Sequence, residues 1–197
     1  MNKPYSESCD QNKDVILSVI KPVLEEKSAV LEIGSGTGQH AVYFSRHLPH
    51  IRWHTSDCSS YLNGINEWIN DADLPNVVAP VELNVSLSQW PGLDVDVIFT
   101  ANTLHIMSQL DVNNFFSGAA QLLKAKSCLL IYGPFNYQGG YTSESNKRFD
   151  QWLKGRDNMS GIKHFEKTVS LANSHGFFLE TDYEMPVNNR ILHFIKA

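Results

Sequence analysis

The sequence is poor in the features that would mark a secreted, membrane-spanning or nucleic-acid-binding protein. It holds three cysteines in 197 residues, at 9, 58 and 128, with no C-x-x-C pair. An odd, scattered set of this kind argues against a disulfide framework and a cysteine zinc site, and for a reducing compartment. No apolar stretch approaches the roughly 18 residues that cross a bilayer, and the opening M-N-K-P-Y-S-E-S-C-D is too polar for a signal-peptide core. Basic blocks are scarce too: none exceeds Lys147-Arg148, and the formal net charge is −5. That balance gives no positive field for phosphate backbones. The eight histidines form no H-E-x-x-H pair, so no bound metal is expected. These absences predict a cytoplasmic protein with no membrane or nucleic-acid partner; they leave the oligomeric state open between monomer and homodimer.

What remains is ordinary globular composition, 42% hydrophobic and 19% charged, in a length that suits one domain over residues 1–197. Helix-period and strand-like segments alternate. Residues 12–27 carry Ile16, Ile20, Val23 and Leu24 on one helical face, with Pro22 expected to kink or divide the helix. Strands are expected at Ala29–Ile33, Ile51–Thr55, Val77–Leu83, Val95–Ala101 and Cys128–Tyr132. Between them fall helix stripes at Ala41, Phe44 and Leu48, then at Leu62, Ile65 and Ile69 with Ser59 or Ser60 as N-cap. Ser108 and Asp111 read as a capping box opening a helix with Val112, Phe115, Ala119 and Leu122 on its stripe. Residues 133–161 then form a polar, aromatic loop and a helix near Asn146–Leu153, where Phe149 and Trp152 read as core. A further helix is expected over Lys163–His175. The closing strands Phe177–Tyr183 and Arg190–Ile195 are joined by too few residues for a helical crossover and should pair antiparallel. The pattern predicts an α/β, Rossmann-like, mostly parallel sheet with helices on both faces.

Val30 to Gly38 read V-L-E-I-G-S-G-T-G, an apolar strand breaking into three glycines spaced two apart. Glycines there let the chain turn sharply and approach a ligand where a Cβ would clash. A dinucleotide fingerprint needs a third glycine in the frame G-x-G-x-x-G, and Gln39 stands in its place. The observed E-x-G-x-G-x-G resembles motif I of class I S-adenosylmethionine-dependent methyltransferases, with Glu32 as the strand-end acid. Asp57 ends the second strand, where both dinucleotide and S-adenosylmethionine sites put an acid on ribose hydroxyls. Asn84 follows the third strand at the position that the resemblance assigns to the adenine amino group. The plain alternatives are a tight turn without a ligand and, for Asp57, an N-cap or a solvated acid.

The downstream segments N-T-L-H-I (102–106), Y-G-P-F (132–135), Y-T-S-E-S-N (141–146), F-D-Q-W-L (149–153) and G-I-K-H-F-E (161–166), with Q-N-K-D-V-I-L at 11–17, narrow the likeness. They resemble a small family of methyltransferase-like proteins once described only as a domain of unknown function. The resemblance implies a seven-stranded sheet of order 3-2-1-4-5-7-6 with the last strand antiparallel. It implies no known reaction.

The donor contacts expected on this reading are Glu32, Gly34, Gly36, Gly38, Asp57, Asn84 and Asn102. Asn12 and Lys13 join them from residues 1–13, a segment that closes over the donor in several class I enzymes. Methyl transfer needs an acceptor lone pair held close and in line; a base helps where the acceptor must lose a proton. His105, after strand four, is the candidate base, and Tyr132 the second catalytic candidate. The alternative for His105 is a hydrogen bond to the helix beginning at Ser108. Phe135, Asn136, Tyr137 and Tyr141 form a candidate pocket for a small-molecule acceptor, in a loop whose Gly139-Gly140 pair would let it move. Ordinary packing also explains these aromatics. The other functional readings are a non-enzymatic S-adenosylmethionine- or S-adenosylhomocysteine-binding module and an NAD-linked oxidoreductase.

Overall fold

A computed structural model of the chain describes residues 3–87 and 89–197. They fall into two compact units, one within Met1–Asn84 and Pro91–Thr100, the other within Val85–Trp90 and Ala101–Ala197. The first unit alternates strictly: α1 (Glu7–Val23), β1 (Ala29–Ile33), α2 (Gln39–His47), β2 (Arg52–Asp57), α3 (Leu62–Ala72), β3 (Val77–Glu82) and β4 (Val97–Ala101, whose last residue belongs to the second unit). Strand β1 pairs in parallel with β2 on one side and β4 on the other, and all five of its residues are buried. Its continuous apolar run is therefore what a strand covered on both faces requires. Ile16, Ile20 and Leu24 form the fully buried stripe of the α1 segment.

Helix α1 begins five residues earlier than its apolar stripe suggests, because Ser6 caps it by accepting a hydrogen bond from the Cys9 amide. Pro22 lies in the final turn and does not divide the helix; a proline so close to the end costs little of the hydrogen-bond ladder. Neither Ser59 nor Ser60 caps α3. Both belong to a 3₁₀ turn, Ser59–Tyr61, and the N-cap is Tyr61 without a side-chain bond.

The second unit holds α4 (Gln109–Leu122), β5 (Cys128–Asn136), α5 (Glu144–Arg156), β6 (Lys163–His164), α6 (Phe165–Ser174), β7 (Phe177–Met185) and β8 (Asn189–Lys196). Both halves of the Ser108–Asp111 capping box are present. Gly118 leaves room for an indole: a Cβ there would stand 2.0 Å from Trp90. Strand β5 runs four residues beyond Tyr132, past Gly133 and Pro134, because β8 and β6 give it partners to its end. Phe135 and Asn136 are consequently strand residues and not loop residues.

Strand β8 runs antiparallel to both β5 and β7. The mixed, mostly parallel sheet has the order β3-β2-β1-β4-β5-β8-β7, with β6 pairing β5 and helices around the sheet. This is the expected order once the two-residue β6 is added to the seven strands. Trp152 departs from the core reading. Helix α5 buries Asn146, Asp150 and Leu153, a spacing that turns residue 152 outward. Trp152 is 53% exposed, stacked on Phe149 and covered by the Arg156 guanidinium.

Candidate functional site

In the first unit the carboxyl end of β1 opens into Gly34, Gly36 and Gly38, with φ of 72°, 59° and 91°. Side-chain-bearing residues rarely adopt that region. The glycines differ in surroundings. A Cβ on Gly38 would meet the Ile65 backbone at 3.2 Å, so this glycine permits α2 and α3 to approach each other. A Cβ on Gly36 would meet no atom within 4 Å. The missing side chain at 36 thus faces open space. Asp57, at the end of β2, holds the turn: one carboxylate oxygen accepts the Gly36 amide at 2.7 Å and the other the Cys58 amide at 2.7 Å. Burial pushes the Asp57 carboxyl above its ordinary pKa, against the pull of those two bonds. Leu83 donates its amide to the Asp57 carbonyl at 2.9 Å, which sets the start of the Asn84 segment beside β2.

Glu32 lies beneath the turn, 1% exposed. Its Oε2 accepts the Trp53 indole N–H at 3.1 Å, and Trp53, Phe44 and Phe99 pack around one another with ring centroids 5.5–5.9 Å apart. Desolvation raises the Glu32 pKa to about 7, opposed by the bonds from Trp53 and Ser35. A buried carboxyl so short of cationic company suits a site that receives a cation.

The N-terminal contacts are tied down. Asn12 Oδ1 accepts a hydrogen bond from the His40 Nε2–H at 2.7 Å, both groups being buried, and His40 stacks on Phe44. Burial lowers the His40 pKa to about 4, which keeps the ring neutral. Lys13 pairs with Asp10 and lies 5.3 Å from the Tyr43 ring centroid. Within the expected closing segment 1–13, residues 1 and 2 lie outside the described residues. Residues 3–6 strap the first unit: the Trp68 indole donates to the Pro4 carbonyl, Lys3 lies over the Trp68 ring, and the Gln39 amide pairs with both backbone groups of Ser6. Gln39, which breaks the dinucleotide frame, is thus the anchor of this strap.

In the second unit Asn102 takes a left-handed backbone, φ 58°, just past β4, and its amide donates to the Tyr132 carbonyl at 2.9 Å. Asparagine tolerates that conformation better than most residues, and such outliers gather at functional sites. Asn102 Oδ1 and His105 Nδ1 both stand 3.9 Å from the position a Cβ on Gly133 would take. The structure therefore brings Asn102 and His105 together against β5, the strand that carries Tyr132. His105 is 8% exposed and meets the Phe149 ring edge-on at 5.1 Å. Its backbone carbonyl accepts the Gly161 amide at 2.8 Å. Burial, and then the Lys163 ammonium, lower its pKa to about 4. Asn136 is 5% exposed and its buried Oδ1 has no hydrogen-bond partner.

The other pocket candidates have structural engagements. Phe135 is 1% exposed in the core. Tyr137 donates to Asp182 at 2.8 Å, with its ring between Phe165 and the Arg190 guanidinium. Tyr141 donates to Asp150 at 2.7 Å.

Asp150 was not singled out from the sequence. It is 1% exposed and accepts from Tyr141, from the Lys154 ammonium at 2.6 Å and from the Ile162 amide at 2.7 Å, so it joins three of the sequence segments that carry the family likeness. A Cβ on Gly161 would stand 2.9 Å from its Oδ1. The i, i+4 spacing of Asp150 and Lys154 was the visible signal, but it reads equally as a solvated surface pair. Among the described residues no helix is long and apolar enough to cross a membrane.

Comparison with solved structures finds the same fold at low identity. An O-methyltransferase family protein from Burkholderia thailandensis matches 95% of this chain with a TM-score of 0.79 and 16% identity. Human N-acetylserotonin methyltransferase, solved with S-adenosylmethionine, matches 97% with a TM-score of 0.81 and 13% identity. An O-methyltransferase family 2 protein from Planctomyces limnophilus, solved with apigenin, matches 86% with a TM-score of 0.76 and 13% identity. The match spans 59%, 53% and 51% of those chains, little more than half their length. One family model covers nearly the whole sequence, residues 3–196, and on that match the chain belongs to the family described as "Protein of unknown function (DUF938)".

Proposed function

We propose that the protein is an S-adenosylmethionine-dependent methyltransferase acting on a small molecule. The observation that carries this reading is the glycine turn: Gly36 faces open space beside the Asp57 carboxylate, above a buried Glu32. Those features fit the donor's groups. Asp57, fixed by two backbone amides, would receive ribose hydroxyls. Asn84 would offer an amide that both donates and accepts to the adenine edge. Glu32 would supply negative charge below a cationic group. S-adenosylmethionine, when bound, supplies an electrophilic methyl group on a sulfonium. Asn12 and Lys13 would act through the strap and helix start that their partners hold in place.

On the acceptor side His105, kept neutral by burial and by Lys163, is able to take a proton; Asn102 orients beside it. Asn136 offers an unused buried acceptor to a donor group of the substrate. Tyr132 and Tyr141 complete the candidate wall, with Phe135 supporting it from the core and Tyr137 held beside it by Asp182. Neutral imidazole rather than imidazolium is the form that general-base catalysis requires. The Burkholderia, human and Planctomyces structures add support through their fold, and the last two through the S-adenosylmethionine and the apigenin they were solved with.

Calorimetry with S-adenosylmethionine, S-adenosylhomocysteine and NAD tests the donor. Binding of the first two and not of NAD is expected, weakened about tenfold or more in Asp57→Ala. Tight NAD binding with none of the methyl donor would overturn the reading. Turnover is then sought as S-adenosylhomocysteine released from metabolite extracts, abolished or strongly slowed in His105→Ala; donor binding with no turnover in any extract favours a binding module.

A further inference from the structure

His105 sits in a short 3₁₀ turn, Leu104–Ile106, that follows β4. Within the turn the Thr103 and Leu104 carbonyls accept the Ile106 and Met107 amides. The next three carbonyls in the chain are all taken by one neighbouring segment, Ser160 to Lys163. The Gly161 amide donates to the His105 carbonyl at 2.8 Å, the Ser160 hydroxyl to the Ile106 carbonyl at 3.1 Å, and the Lys163 ammonium to the Met107 carbonyl at 2.7 Å. A turn this short cannot satisfy its own trailing carbonyls, so its orientation is set by whatever accepts that task. Here a backbone amide, a hydroxyl and an ammonium share it.

The gripping segment has its own anchor. Asp150 of α5, 1% exposed, accepts the Ile162 amide on Oδ1 at 2.7 Å. The approach is close enough to need a glycine next door: a Cβ on Gly161 would stand 2.9 Å from Asp150 Oδ1 and 2.9 Å from Lys154 Cε. Asp150 Oδ2 accepts the Tyr141 hydroxyl at 2.7 Å and the Lys154 ammonium at 2.6 Å. Burial works against the charge of this carboxyl, but the bonds from Lys154, Tyr141 and Ile162 hold its pKa below the ordinary aspartate range. The preceding residue, Phe149, meets the His105 ring edge-on at 5.1 Å. Two consecutive residues of α5 thus reach the candidate base, Phe149 at its ring and Asp150, by way of residues 161 and 162, at its backbone.

We propose that Asp150 is a positioning residue for His105: it fixes the Ser160 to Lys163 segment, whose donors set the turn that carries the imidazole. The inference rests on the reading of His105 as the acceptor-side base. Asp150 acts through that segment and not by contact with reacting atoms. A base must stand within hydrogen-bond reach of the proton it removes, and a misplacement of about 1 Å can cost ~10²-fold in rate. The task needs an acceptor oxygen on the Ile162 amide more than it needs a charge, and an asparagine carbonyl offers the same oxygen. Tyr141 brings the loop that holds Gly139 and Gly140 onto the same carboxylate, so the acceptor-side loop and the seat of the base share one anchor. A carboxylate serving stability alone would have no preferred path to His105.

The test compares Asp150→Ala and Asp150→Asn with the parent in the full chain, through two readouts that an even loss of stability leaves alone. One is the pH titration of the His105 ring by NMR; the other is amide exchange at Gly161 relative to Leu130 in β5. Burial and the Lys163 ammonium lower the parent ring's pKa to about 4, so it should not titrate between about pH 5 and 8. In Asp150→Ala the ring should titrate inside that window, and Gly161 should exchange about tenfold or more faster relative to Leu130. Asp150→Asn should restore both. Ser160→Ala removes one of the three grips and leaves Asp150 in place; it decides the matter where Asp150→Ala does not fold, and should raise the same exchange ratio. A folded Asp150→Ala with a silent His105 and an unchanged ratio overturns the proposal, as does a Ser160→Ala ratio equal to the parent's. Neither readout needs donor or turnover, so this proposal and the methyltransferase reading fail separately.

Discussion

The glycine turn of the first unit and the aromatic and polar cluster of the second are built from different materials. The turn is made of backbone: three left-handed glycines and two amides on one carboxylate. The cluster of the second unit is made of side chains tied to one another, with Asp150 receiving Tyr141, Lys154 and Ile162, and Asp182 receiving Tyr137 and Arg190. A backbone site tolerates change around it as long as its torsions survive. A side-chain web fails at its hub.

The largest effect should follow from removing that hub. Asp150→Ala leaves the Ile162 amide unpaired in the interior and strips Lys154 of its partner. Breaking a buried ion pair costs about 3–5 kcal/mol, and the lower end applies because Lys154 is half exposed. Urea unfolding of the variant should show a loss of about 3 kcal/mol. A loss below about 1 kcal/mol would mean that the web is decorative and the two units are stabilised alike.

The same contrast decides what was legible in the sequence. Strand β1 and its glycines announce themselves because buried parallel strands and left-handed turns admit few residue types. The antiparallel closing hairpin was readable from the short E-M-P-V-N-N connection. Strand β5 was cut short at Tyr132 because Gly133 and Pro134 look like breakers, and only pairing with β6 and β8 overrides them. Asp150, and the bonds of Gln39 to the Ser6 backbone, leave no sign in the sequence for a related reason: a side chain that bonds a distant backbone group leaves no periodic trace. Lys13 is an expected donor contact, and the structure gives it Asp10, its i,i+3 partner on α1, and the Tyr43 ring of α2, the second of which no local pattern specifies.

Acid should separate the units next. In the first, Glu32 has a folded pKa of about 7 against an ordinary 4.5, so its contribution is fully present below 4.5 and is lost as pH rises through 7. His40, lowered from 6.5 to about 4, contributes stability above 6.5 that is lost as pH falls through 4. Between about 4.5 and 6.5 these two slopes oppose one another. His105 has the His40 sign, and the carboxyl groups of the second unit whose shifts are resolved, Asp111, Asp150 and Glu166, are all lowered. Its burial as a neutral ring corresponds to about 2–3 kcal/mol of stability lost between pH 7 and pH 4.5. His105→Gln should therefore flatten the stability profile over that range, measured by urea unfolding at both pH values. An unchanged profile would show that His105 titrates as it does in water.

A smaller effect with a sharper meaning is expected at Gly36. An alanine there must hold a left-handed φ, which costs about 1–2 kcal/mol, but its methyl meets no protein atom. Stability of Gly36→Ala should fall by that amount only, while S-adenosylmethionine affinity falls about tenfold or more as the methyl enters the ligand's space. Equal donor affinity in the two proteins would mean that the open space serves no ligand.

The smallest effect should come from the most conspicuous side chain of the second unit. Trp152 is large, and tryptophan truncation in a core costs about 3–5 kcal/mol. Yet it stands 53% exposed on α5, with Phe149 and Arg156 as its ring neighbours. Its stack and cation contact are each of the exposed kind, worth a few tenths of a kcal/mol once solvent screening is counted. Trp152→Ala should change urea-unfolding stability by less than about 1 kcal/mol, well under the Asp150 effect two positions away in the same helix. If the tryptophan instead proved the costlier loss, the second unit would be held by apolar contact after all, and the contrast with the backbone-built turn would lose its basis.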